Sequence, residues 1–158
     1  MKKEFFDAMM PIMKENKNVY LLFIGLGYPR VDEFLSMFPD RAINTEASEQ
    51  TALDMAVGLA YEGKIPVVYT ITPFLYRGFE TIRTYIAYEN LNVKLIGAGR
   101  NDDYSKTDGH THDAGDVRGV MGLFPNIKQY WPETKDEIPA IVKKMIENDR
   151  PSFVSLRR

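Results

Sequence analysis

Arg41-Ala-Ile-Asn-Thr-Glu-Ala-Ser-Glu-Gln50, running on into Thr51-Ala-Leu-Asp-Met-Ala-Val-Gly-Leu-Ala-Tyr-Glu-Gly63, is the stretch on which the reading of this chain turns. Its start reads as a short strand, Arg41 to Asn44, that ends near Thr45. Ala52, Leu53, Ala56, Val57 and Ala60 then fall on one helical stripe. That helix begins about Glu49, runs to about Glu62 and stops at Gly63. Small residues dominate the stripe, so another backbone can approach it closely. Glu49 therefore stands at a strand-to-helix junction. A carboxylate there has an ordinary use, complementing the positive end of the helix dipole and accepting from free backbone N–H groups.

Outward from this junction, helical and strand-like segments alternate. Phe5, Phe6, Met9, Met10 and Met13 lie at helical spacing, with Pro11 expected to kink or delimit that helix. Asn18 to Ile24 reads as a buried strand, Gly25-Leu-Gly-Tyr-Pro29 as its turn, and Val31 to Phe38 as a short helix. Beyond Gly63 come a strand at 66–71, a helix near 75–90, a strand at 93–97 and a polar loop at 99–114. A short helix at 115–122, a strand at 127–131, a helix at 137–148 and a last strand, Ser152 to Leu156, complete the order. Asp136 is the expected N-cap of the 137–148 helix, because Pro139 needs no backbone N–H there.

Such alternation predicts one α/β domain over 1–158, with a mostly parallel sheet of about six strands and helices on both faces. Ligands of such sheets bind off the carboxyl ends of the strands. Glu49, Phe74 and the 99–114 loop all fall there, which makes that edge the candidate site on pattern alone.

The 158 residues suffice for one sizeable core, and a net charge of −2 with no basic block argues against a nucleic-acid partner. No apolar run is long enough to span a bilayer. Glu4, Asp7 and Lys14 interrupt any signal-peptide core, so a cytoplasmic location is the default expectation. Without cysteine, thiol nucleophiles and zinc–thiolate sites are excluded.

Three further stretches carry a family resemblance: Thr72-Pro-Phe-Leu-Tyr-Arg-Gly-Phe-Glu-Thr-Ile82, Thr107-Asp-Gly-His-Thr-His112, and Phe124-Pro-Asn126 with the segment from Ile127 to Glu137. In order and spacing, together with the Glu49 junction, they resemble the pyrimidine-binding domain of the transketolase family of thiamine-diphosphate enzymes, which includes 1-deoxyxylulose-5-phosphate synthase. The resemblance covers roughly residues 15 to 157. It implies that Glu49 is the glutamate that bonds the far ring nitrogen of the cofactor's aminopyrimidine and promotes its reactive imino tautomer. It implies that Phe74 stacks on the pyrimidine ring, where the plain alternative is a core phenylalanine. Arg77, at i+3 from Phe74, can reach the same pocket mouth or stand as a solvated helix arginine.

Asp108 and His112 match the family's substrate loop, with His110 in place of its proline; His112 would bond substrate hydroxyls or exchange protons. A metal on His110 and His112 is disfavoured, since no third ligand is placed. Arg100 and Arg30 are candidates for a substrate phosphate, each with an ordinary exposed arginine as the alternative.

The chain also departs from the family. Glu46 and Ala47 stand where the family has a glycine and an aliphatic residue. No segment fits the Gly-Asp-Gly pattern by which the family holds magnesium and the diphosphate. The resemblance thus implies half of an active site. The expectation is a small subunit of a split enzyme that transfers a two-carbon ketol or similar unit between sugar or sugar-phosphate substrates. Its partner would carry the diphosphate- and magnesium-binding domain, in a heterotetramer with two copies of this chain. The runner-up is a non-catalytic binding or regulatory subunit that retains the fold.

Overall fold

The computed structural model describes the whole chain except Leu26, Gly27 and Ser105. Six strands form one sheet: β1 (Val19–Phe23), β2 (Ala42–Asn44), β3 (Ile65–Ile71), β4 (Lys94–Ala98), β5 (Lys128–Tyr130) and β6 (Ser152–Leu156). Their order is β2-β1-β3-β4-β6-β5, and every pairing is parallel. The expected α/β architecture is the one found. Each strand lies within a residue or two of its predicted span, because strands buried on both faces read as plain apolar runs. The predicted turn at 25–29 includes Leu26 and Gly27, which lie outside the described residues.

Alternation along the strands builds two cores. Leu21 and Phe23 of β1, Val67 and Tyr69 of β3 and Val154 of β6 face α1 (Lys2–Glu15), α2 (Pro29–Met37) and α7 (Ile138–Glu147). Leu22, Val68, Leu95 and Phe153 face the other way. They meet α3 (Glu49–Tyr61), the helical run that opens with α4 (Thr72–Leu75) and contains α5 (Phe79–Thr81), and α6 (Val117–Gly122).

Three local expectations are corrected. Pro11 does not delimit α1, which runs through it; Pro11 is exposed, while Phe5, Phe6, Met9 and Met13 hold the helix to the core on both sides of it. The cap ahead of α7 is Thr134, not Asp136: the Glu137 carboxylate accepts from the Thr134 N–H at 2.8 Å and the Glu133 N–H at 3.0 Å. A Thr-x-x-Glu box satisfies more free N–H groups than a lone aspartate, so it wins. The expected single helix near 75–90 starts instead at Thr72 and changes pitch, with a tight turn at Tyr76–Gly78 and a wide π-helical stretch over Ile82–Tyr88. Gly78 sits so close to α3 that a Cβ there would collide with the Leu53 side chain. This is the close approach that the small-residue stripe anticipates.

The order of connections sets the site. From β1 the chain passes to β2 on one side, and from β3 to β4 on the other. The crevice beyond the carboxyl ends of β1 and β3 is therefore a topological switch point, where ligands of open parallel sheets bind.

At the opposite edge, β4 opens with a fully buried Lys94. Its ammonium Nζ donates to the Asn148 carbonyl at 2.8 Å, the Asn148 Oδ1 at 3.1 Å and the Arg150 carbonyl at 2.7 Å. It thereby ties the end of α7 to the middle of the sheet. Burial pushes its pKa from 10.5 down to about 7, with Asp149 pulling the other way. Between those two values the unfolded chain holds a proton that the folded chain gives up, so Lys94 makes stability rise with pH across that window. Lys94→Met leaves the Asn148 and Arg150 carbonyls without this donor and should cost about 1–3 kcal/mol. Its urea-derived stability should also rise less than the parent's from pH 7 to pH 10. Equal slopes in the two proteins would refute this role.

Candidate functional site

Glu49 is the first residue of α3 and is only 6 % exposed. A carboxylate so placed does not stay buried alone, because desolvation demands a partner. Arg77 is that partner: its Nη1 donates to Glu49 Oε1. The half-exposed guanidinium lies 4.6 Å from the Phe74 ring centroid, in cation–π range. The bond to Glu49 and the stack on Phe74 thus hold one planar group in place.

The contacts continue into the 99–114 loop. The Phe74 ring meets the His112 imidazole edge-on, with centroids 5.3 Å apart. His112 also lies 5.3 Å from the Tyr104 ring. Over Tyr104 sits the Arg158 guanidinium, 4.6 Å away, which forks onto Asp108 at 2.8 and 3.2 Å. Two tight turns, Lys106–Asp108 and His110–His112, shape the loop around Gly109, whose φ of +93° suits glycine. The His112 N–H donates to the Gly109 carbonyl at 3.1 Å. Behind them, Thr72 donates its hydroxyl to the Gly99 carbonyl, and Tyr76 donates to the Ala114 carbonyl at 3.0 Å. Both ends of the loop are thus fastened to the helical segment that carries Phe74.

Glu49, Phe74, Arg77 and His112 therefore form one contiguous row, and Asp108 joins it through Arg158 and Tyr104. Arg100 goes elsewhere. Its side chain, 4 % exposed, turns under the sheet edge and donates to the Pro132 carbonyl at 2.8 Å, pairs with Glu133 at 3.0 Å and lies near Trp131. Arg30, at the start of α2, is held at 2.6 Å by each of two carboxylates, Asp7 and Glu33. His110 is exposed and, with Asn101, Asp102, Tyr104 and Asp113, lines a cleft of about 420 Å³ beside the row. Glu46 takes φ +51°, the left-handed region where the family's glycine would be at ease, and its carboxylate accepts from Asn44 at 3.0 Å. Sequence reasoning did not single out Tyr104 or Arg158. The one available signal was the Arg157-Arg158 pair directly after β6, on the same strand edge as the other residues.

A family model described as "Transketolase, pyrimidine binding domain" matches residues 2–158. An apulose-4-phosphate transketolase subunit from Actinobacillus succinogenes is 33% identical over 128 residues, covering 80% of this chain and 41% of its own length. A "Putative transketolase C-terminal section" from Methanocaldococcus jannaschii is 28% identical over 100% of this chain and 50% of its own. Among solved structures, "Split gene transketolase, inactive beta4 tetramer" superposes with a TM-score of 0.85 at 29% identity, over 99% of this chain and 50% of that one. The chain spans about half the length of these relatives or less.

Proposed function

Because this chain belongs to the transketolase pyrimidine-binding-domain family, we propose that it is the pyrimidine-binding subunit of a split, thiamine-diphosphate-dependent transketolase-like enzyme. The enzyme transfers a two-carbon ketol unit between sugar or sugar-phosphate substrates. A partner subunit holds the diphosphate and magnesium, in a heterotetramer with two copies of this chain.

One observation carries the reading: Glu49 and Phe74 already grip a planar, N–H-bearing group, the guanidinium of Arg77. An aminopyrimidine is likewise planar, and its ring nitrogen, an acceptor where the guanidinium is a donor, would meet the same Glu49 oxygen once that carboxyl carries a proton. Glu49 would hold a proton at the ring nitrogen, Phe74 would support the ring face, and Arg77 would yield its place and remain at the pocket mouth. When bound, the cofactor supplies the nucleophilic carbon that accepts the two-carbon unit. His112, in edge contact with Phe74, is placed to bond a sugar hydroxyl or carbonyl and to exchange its proton. Asp108 orients a hydroxyl. Arg100 and Arg30 would have to leave their present carboxylate and carbonyl partners to meet a phosphate, and Arg158, which lies nearer the row, is likewise paired, with Asp108.

Reconstitution with the partner, a ketose donor and an aldose acceptor tests the proposal. His112→Ala should lower kcat/KM about 100-fold, as loss of a proton-transfer group does, with cofactor affinity nearly unchanged. His110→Ala should cost far less, because its side chain lies outside the row. Equal losses from the two variants would overturn the assignment of roles. Cofactor-independent binding without any ketol transfer would instead favour a regulatory subunit that retains the fold.

A further inference from the structure

The 99–114 loop, polar and long, is the kind of segment that often orders only when ligand arrives. Several of its described residues are nevertheless fastened by contacts within the chain. Asp103 presents a carboxylate whose side chain is 6% exposed. That carboxylate accepts from the Arg100 N–H at 3.1 Å, the Arg158 N–H at 3.2 Å and the Arg157 guanidinium at 2.8 Å. Arg100 follows β4 and Arg157 follows β6, two strands paired side by side. One aspartate thus ties the start of the loop to two strand ends that are far apart in sequence.

The next residue is Tyr104. Its ring lies on Gly99, where φ is +80° and where any Cβ would collide with that ring. Arg158 covers the ring at 4.6 Å and at the same time grips Asp108. His112 rests against the ring at 5.3 Å and against Phe74 at the same distance. The Tyr104 hydroxyl is buried with no hydrogen-bond partner among the described residues. What Tyr104 contributes is therefore its ring and not its hydroxyl.

We infer that Tyr104 is a positioning residue whose ring sets the His112 imidazole against Phe74, and that Asp103 with Arg157 and Arg158 clamps Tyr104 there through contacts made within this chain. The importance given to His112 rests on the transketolase reading, but the assembly itself does not.

The test uses the chain by itself, without cofactor or partner. Proton NMR should show a nuclear Overhauser contact between the ring protons of His112 and Phe74. Tyr104→Phe should keep it, since the hydroxyl has no partner. Tyr104→Ala should lose it. Arg158→Met, which removes the cover from Tyr104 and a partner of Asp108 at an exposed position, should lose it as well, and decides the matter if Tyr104→Ala fails to fold. Dispersed core methyl signals confirm the fold in each variant. Persistence of the contact in a folded Tyr104→Ala or Arg158→Met protein, or its loss in Tyr104→Phe, overturns the inference. Failure of ketol transfer in the assembled enzyme would leave this result standing, so the two readings fail separately.

Discussion

Replacing Glu49 with glutamine in the assembled enzyme is expected to slow hydrogen–deuterium exchange at the cofactor's thiazolium carbon by about 100-fold or more, the size of a lost proton-handling group. Glutamine keeps the shape of the side chain but cannot hold a proton for the ring nitrogen. The effect should be chemical rather than structural. Glu49 begins α3, yet its carboxylate bonds Arg77 across the crevice, and the N-cap position is Ser48. Circular dichroism and melting temperature should stay close to the parent's. Glu49→Ala should be at least as slow, and it also removes the acceptor oxygen that glutamine would still offer Arg77. An unchanged exchange rate in Glu49→Gln would remove Glu49 from the mechanism.

Much of this arrangement could be read in the amino-acid sequence, and the part that could not shares one physical cause. Strands such as Val67-Val68-Tyr69 are buried on both faces, so their apolar runs mark them without help from elsewhere. Glu49, Phe74 and His112 could be grouped because each follows a strand, and parallel strands bring all their carboxyl ends to one edge. The direction of long side chains could not be grouped in this way. Arg100 starts from that same edge but finds a buried slot made by Trp131 and Pro132, residues that follow β5. Tyr104 and Arg158 meet only because β4 and β6 are neighbours, although β5 lies between them in the sequence. Pro11 misled for a related reason: propensity argues locally, while buried Phe5, Phe6 and Met9 before it and Met13 after it decide in favour of the helix.

The second large effect concerns assembly. This chain by itself should bind thiamine diphosphate and magnesium weakly and turn over no substrate. Addition of a partner bearing the diphosphate- and metal-binding half should tighten cofactor binding by at least about 100-fold, or about 2.7 kcal/mol. Three considerations support this expectation. On the proposed reading, the row from Glu49 to His112 meets the cofactor's ring and a hydroxylated substrate and leaves the diphosphate to the partner. Glu49 and Phe74 are occupied by Arg77, so a cofactor must displace an ion pair, a cost that diphosphate contacts on the partner can offset. On the helices of this face, Tyr61 at the end of α3, Tyr88 at the end of the helical run after it and Leu123 just past α6 stand 56%, 88% and 65% exposed, apolar surface suited to a partner subunit. Isothermal titration of the cofactor, first into this chain and then into the mixture with its partner, measures the difference. Tight one-to-one binding with turnover by this chain alone would show that the active site is complete without a partner, and the split-enzyme proposal would fall.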